Sequence, residues 1–238
     1  MIKHRILKKI AFLCLSILFT ALMCFESFAV TFADIPKPYR TIVYKYKVAV
    51  DNKWKANKVL KNDMSILTTY PYQSYVTKHP EDRLKNIGFC ILDIDGDGSE
   101  ELLIGNCGSD YPRKCIYDIY SVSSGSVKHI LSSIERDRYH IGKDGLFLAD
   151  GSAGAAYSTV SWNRIDTATG KLTEVYSINT DGVDDDGNII CYSEEHLKSG
   201  KTVRTDISND EFMNKRDKFL EEDTIQLDMI PLSEINYR

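Results

Sequence analysis

The chain has 238 residues, 43% of them apolar and 27% charged, with a formal net charge of −4. That length suits one domain of ordinary size with a sizeable core. An acidic balance argues against nucleic acid as a partner, because phosphate binding runs on clustered Lys and Arg.

Lys3, Arg5, Lys8 and Lys9 precede an apolar run over 10–24. A positive start before a short apolar stretch is the pattern of a secretory signal peptide, read here as residues 1–29. The run is about 15 residues, short of the roughly 20 needed to span a bilayer. Ser27 and Ala29 place small residues at −3 and −1 of a cut after Ala29, and Thr31 and Ala33 do the same for a cut after 33. Met23 precedes Cys24, whereas a lipid-anchored form needs a small residue there. Cleavage after Ala29 removes four basic residues and Glu26, leaving 26 basic against 33 acidic residues and a charge of −7. The expectation is a secreted or envelope-associated protein, with 30–238 as a single mature domain and no membrane span.

Cys90, Cys107, Cys115 and Cys191 remain, an even number in a chain leaving the cytosol. Four thiols permit three connectivities. Cys107 with Cys115, closing a short loop through Gly108, Ser109 and Pro112, is the first candidate pair. Cys90, between Phe89 and Ile91, reads as a small buried apolar residue.

The expected fold is α+β, predominantly antiparallel β: a meander of hairpins flanked by an N-terminal amphipathic helical segment and a short C-terminal helix. In the lead, 39–70, Tyr39, Ile42, Val43, Tyr46, Ala49 and Val50 recur at helical spacing with lysines between them. A break near Asp51-Asn52 and a second helix through Trp54, Val59 and Met64 follow, ending by Pro71. From Ile87 the period changes. Short β-favouring runs at 89–92, 102–106, 116–122, 127–132, 139–141, 146–149, 156–165, 173–178, 189–193 and 202–204 alternate with turn residues through a body over 87–205. Turns are predicted at Ser124-Gly125, Asp144-Gly145, Asp150-Gly151, Thr169-Gly170, Asp186-Gly187 and Ser199-Gly200. Ser208 and Glu211 have capping-box spacing, so a helix over 209–221 is expected with Phe212, Phe219 and Leu220 on its buried face. An extended tail over 224–238 follows.

One segment carries chemistry. Asp93, Asp95, Asp97, Gly98 and Glu101 stand in the spacing D-x-D-x-D-G-x-x-E between two apolar runs. Alternating carboxylates, a glycine where the chain must bend and a further carboxylate beyond it can converge on one hard cation. Numbered from Asp93, the ligands of this loop, 93–101, are the side chains of Asp93, Asp95, Asp97 and Glu101 and the backbone carbonyl of Ser99. A cage of carboxylates and a carbonyl suits Ca2+ better than the smaller Mg2+. The loop is not an EF-hand: position twelve is Ile104 and strands, not helices, are expected on either side.

At these residues the chain resembles strand-loop-strand calcium motifs of the FG-GAP and VCBS kind, known from integrin-type β-propellers. More closely it resembles small secreted proteins of Firmicutes that carry one such motif. The resemblance covers Asn62-Asp63-Met64-Ser65, the block 87–105, the hairpin series with its Gly-Ser-Ala-Gly stretch, and Gly200-Lys201 before an acidic-capped helix. Those proteins have no established activity, so the resemblance implies secretion and calcium rather than a reaction. About 209 residues are too few for a full propeller ring.

Other signals are weaker. Asp181 to Asn188 is acidic, but alignment on Gly187 puts Gly182 and Ile190 at ligand positions, so it reads as a hairpin turn. Gly151-Ser-Ala-Gly154 lacks the helix start of a phosphate cradle and reads as a β-turn. His79, His129, His140 and His196 form no zinc-binding pattern, and no G-x-S-x-G occurs. Glu194 with Glu195 and Glu221 with Glu222 read as solvated surface charges. The leading expectation is thus a secreted, calcium-binding, non-enzymatic module contacting an extracellular protein or glycan. The competing one is a secreted hydrolase with a structural calcium ion, its acid and base drawn from distant residues such as Asp118 or Glu135 with His140.

Overall fold

The structure is a computed structural model and describes residues 30–108, 115–143, 145–154 and 156–237. The proposed signal peptide, Asp144, and the residues Ser109 and Pro112 of the proposed disulfide loop lie outside the described residues.

The lead folds into helices α1 (Arg40–Asp51) and α2 (Ala56–Leu60) and a 3-10 segment, Ile66–Tyr72. Val43, Tyr46, Ala49 and Val50 form the buried stripe of α1, as their spacing dictates. Eleven strands follow among the described residues: β1 (Ile87–Leu92), β2 (Glu101–Asn106), β3 (Ile116–Ser123), β4 (Ser126–Ser132), β5 (Asp137–Ile141), β6 (Phe147–Gly154), β7 (Tyr157–Asp166), β8 (Lys171–Val183), β9 (Ile189–His196), β10 (Thr202–Ile207) and β11 (Ile230–Pro231). They form one antiparallel sheet in the order β10-β9-β8-β7-β6-β5-β3-β2-β1-β11, with β4 beside β3 off that path. Helix α3 (Asn209–Lys218) starts under its cap, the Ser208 hydroxyl accepting from the Glu211 N–H at 3.1 Å, and a π-turn carries Phe219–Asp223.

Both faces of the β1–β3 region are covered. Ile87, Phe89, Leu102, Ile104 and Tyr117 pack against α1, α2 and the 3-10 segment. Cys90, Leu103, Ile116 and Ile119 pack against Tyr139, Phe147, Ile165, Leu227 and Met229 on the other side. Every residue of β2 is buried, which is why it reads as an unbroken apolar run after Glu101. At the far end Leu148, Val160 and Ile178 meet Phe212, Phe219 and Leu220 beneath α3.

Three expectations are corrected. Asp150-Gly151 is no turn, and Gly151 to Gly154 is no β-turn: both lie in β6, where Gly151 pairs with Thr159 and Ser152 with Ser158. The ladder to β7 supplies their backbone partners, which outweighs the local preference of Asp and Gly for turns. No disulfide joins Cys107 to Cys115. The Cys107 thiol donates to the Lys85 carbonyl at 3.0 Å, and Cys90, Cys115 and Cys191 are buried thiols. The acidic stretch 181–188 does close a hairpin: Asp184 takes the N–H groups of Asp186 and Asn188 at 3.0 and 2.8 Å.

Candidate metal centre

β1 and β2 pair down to Leu92 with Glu101, so residues 93–100 are the loop between them. The loop is folded by its own acidic side chains. Asp93 accepts from the N–H of Gly96 at 2.7 Å and of Gly98 at 3.0 Å, one to each oxygen. Asp95 accepts from Asp97 at 3.2 Å and Asp97 from Ser99 at 2.7 Å. Carboxylates that capture amides a few residues ahead bend the chain in this way. Gly98 has φ +89°, a conformation that strains any residue with a Cβ, although open space surrounds it.

Two carboxylates are fixed from outside the loop. One oxygen of Asp95 accepts from both the N–H and the hydroxyl of Thr167, at 3.0 and 2.9 Å. Thr167 is buried just beyond β7. Glu101 is itself 0% exposed and accepts from the Ile94 N–H at 3.2 Å and the Ser121 hydroxyl of β3 at 3.0 Å. The Tyr39 hydroxyl, next to α1, donates to the Glu100 carbonyl at 2.6 Å and ties the loop's end to the helical lead.

Asp93, Asp95 and Glu101 each thereby present an oxygen within 4.8 Å of the others. That span is about twice a Ca–O bond of ~2.4 Å, so one ion can touch all three. Asp97 stands outside this group: it is exposed, with its carboxylate turned to the Ser99 amide. Ser99 is exposed as well, and its expected contribution is a backbone carbonyl. Thr167 and Ser121 escaped the sequence reading, since nothing local to them signals that strand pairing will bring them to an acidic loop 72 and 20 residues away.

The electrostatics are uneven. Burial pushes the Glu101 carboxyl up, and the nearby Asp95 charge adds to it, against the hydrogen bonds from Ile94 and Ser121. Burial acts on Asp95 in the same direction, but the Thr167 and Asp97 donors outweigh it and hold that carboxyl below its ordinary value. A divalent cation fits such a group. It relieves the repulsion among three carboxylates, and each oxygen that accepts one N–H keeps a second lone pair for it. The donor set is all oxygen, which suits a hard ion.

The residues weighed for hydrolysis fall elsewhere. Asp118 of β3 is buried and accepts from the Tyr46 hydroxyl at 2.5 Å, the Ser65 N–H at 2.8 Å and the Ser132 hydroxyl; it also meets His129 Nε2 at 2.8 Å. Ser132 and Asp118 both reach the same imidazole nitrogen, the serine at 3.1 Å. A relay needs one nitrogen for each. His129 of β4, rather than His140, is the histidine beside Asp118.

Among the described residues no helix is long and apolar enough to cross a membrane. No family model matches the chain, and neither a curated protein nor a solved structure is significantly similar to it.

Proposed function

We propose that the protein is a secreted calcium-binding module that works without catalysis, by surface contact with an extracellular protein or glycan. The observation that supports this reading is the convergence of Asp93, Asp95 and Glu101 in a strand-loop-strand turn braced by Thr167 and Ser121. In it the ion is bound by those three carboxylates, with Asp97 and the Ser99 carbonyl completing the shell as the loop closes. The resemblance to FG-GAP and VCBS loops points to the same ion.

Extracellular calcium modules bind with Kd of about 10⁻⁴ to 10⁻³ M. At about millimolar calcium the ion then adds roughly 0.4 to 1.4 kcal/mol to stability. Calorimetry with calcium and with chelator tests the reading. Calcium raises Tm in the natural protein and leaves Asp95→Ala unmoved; superimposable scans of the natural protein in both conditions reject the site.

A further inference from the structure

A second group of metal-ligating side chains lies at the other end of the sheet. Glu174 of β8 and Glu194 and His196 of β9 each offer a ligand atom within 4.8 Å of the others. They occupy the sheet face opposite α3. Ser177 is the cross-strand partner of Glu194, whereas its neighbours Tyr176 and Ile178 point to the α3 side.

Regular pleating would not assemble this group. Trp162 pairs with Tyr176 but Asn163 pairs with Glu174, so Val175 is an extra residue in β8. Without that bulge Glu174 would share the face of Tyr176, whose ring packs against Trp162 and whose hydroxyl accepts from Lys215 of α3. The bulge turns it onto the face of Glu194, as bulges re-aim side chains.

The imidazole distinguishes this group from an ordinary acidic patch. His196 Nδ1 lies 3.0 Å from the Thr202 hydroxyl of β10, and Nε2 lies 3.0 Å from a Glu174 oxygen. With no ion the ring satisfies both partners by donating Nε2–H to Glu174 and accepting the Thr202 hydroxyl at Nδ1; with an ion among the three ligands, Nδ1–H donates to Thr202 and the Nε2 lone pair faces the ion. A metal-bound histidine commonly donates its other ring N–H to an outer acceptor that fixes the ring, and the Thr202 hydroxyl is placed to be that acceptor. One neighbouring cation shares the face: Arg204, cross-strand from Glu194. Its guanidinium lies over the Tyr192 ring, 3.4 Å from the centroid, rather than in an ion pair with Glu194.

We propose that Glu174, Glu194 and His196 form a second cation site, suited to a borderline divalent transition ion such as Zn2+. One imidazole and two carboxylates leave a fourth, tetrahedral position for water. The nitrogen ligand separates this site from the all-oxygen loop at 93–101. Three ligands on two adjacent strands are held by the sheet itself, with a pre-set spacing that a loop lacks.

The test is calorimetric titration of the purified protein with ZnCl2 in excess calcium, which keeps the loop filled. One saturable event is expected, retained in Asp95→Ala and lost in His196→Gln and Glu174→Gln. Thr202→Val, which removes only the outer hydroxyl, weakens it by about 10-fold or more. The natural protein supplies an independent reading through its imidazole nitrogen resonances: zinc shifts those of His196 before any other histidine. Absence of a saturable event, binding unchanged in both ligand variants, or shifts confined to other histidines would each overturn the assignment.

Discussion

Thr167 gives both its backbone N–H and its hydroxyl to a single oxygen of Asp95, at 3.0 and 2.9 Å. The second oxygen of Asp95 takes the Asp97 amide, so this one carboxylate joins the 93–100 loop to the turn after β7. Thr167→Val keeps the shape and the N–H bond but removes the hydroxyl donor. Hydrogen bonds to charged groups contribute about 1.5–3 kcal/mol, and removing one of two donors is expected to cost about the lower figure. The loop also loses some preorganisation, so the Tm gain on adding calcium shrinks. Thermal melts of the two proteins with calcium and with chelator check both effects. A valine variant that melts and responds like the natural protein would show that the bridge is idle.

Glu101 gives a pH dependence of definite sign. Burial raises its carboxyl in the folded chain, so the folded state holds the proton at pH values where the unfolded state has released it. In chelator, the stability due to protonated Glu101 is therefore fully present below about 4.5 and is lost as pH rises through the folded value. Calcium bound as proposed above is expected to reverse the preference by pairing with the ionised form. Glu101→Gln removes the titration, flattens the profile in chelator above pH 4.5 and abolishes the calcium response. Urea unfolding across pH 4 to 8 at ~1 unit steps measures both. A natural protein in chelator that gains stability through that range while the glutamine variant does not would refute the sign.

Much of the sheet was legible because its signals are local. The run Ile87 to Leu92 and the strands up to Thr202 announce themselves through β-branched and aromatic residues between turn residues. The ligand spacing from Asp93 to Glu101 is equally local, and the bonds from Asp93 to Gly96 and Gly98 follow from it. What depends on pairing across the sheet could not be read. Gly151 to Gly154 looks like a turn until β7 is laid beside it. Thr167 has no signature of its own, and Glu194 looks solvated until the extra residue at Val175 swings Glu174 towards it. For Asp97 the spacing alone suggests a ligand, and in the folded loop its carboxylate accepts from the Ser99 amide.

Gly88 marks a place where the close approach of two strands, rather than a turn, calls for glycine. A Cβ there would lie 2.6 Å from the Ile230 carbonyl oxygen and 3.1 Å from the Cys107 sulfur. Gly88 pairs with Pro231, so the clash falls on the short strand β11. Backbone cannot yield as a flexible side chain can, and overpacking of this kind costs about 1–3 kcal/mol. Gly88→Ala is expected to lower stability by that amount and to raise amide exchange over 230–236, where Leu232 and Ile235 anchor the chain's end. Exchange confined to the 93–100 loop instead would place the strain elsewhere.

Asp118 holds the helical lead to the sheet, and its partners define a graded test. The carboxylate is fully buried and accepts from Tyr46 of α1 at 2.5 Å and from the Ser65 amide at 2.8 and 3.1 Å, while His129 stacks on Tyr120 beside it. Burial, with Asp118 adding, drives the Tyr46 hydroxyl well above its ordinary value, so it stays a donor throughout the accessible pH range. Tyr46→Phe keeps the ring in the core but withdraws that donor, at an expected cost of about 1.5–3 kcal/mol. Asp118→Asn is the more damaging change. Its amide sets two donors where the site supplies donors, so a buried N–H is left facing another, and the loss exceeds that of the phenylalanine variant. Urea midpoints rank the two, and limited proteolysis locates the damage. Cleavage should appear first in the segment between α1 and Ser65, because that is the stretch Asp118 pins. A phenylalanine variant within 0.5 kcal/mol or so of the natural protein, the ordinary range of a surface change, would mean that the apolar packing of α1 holds the lead in place without this carboxylate.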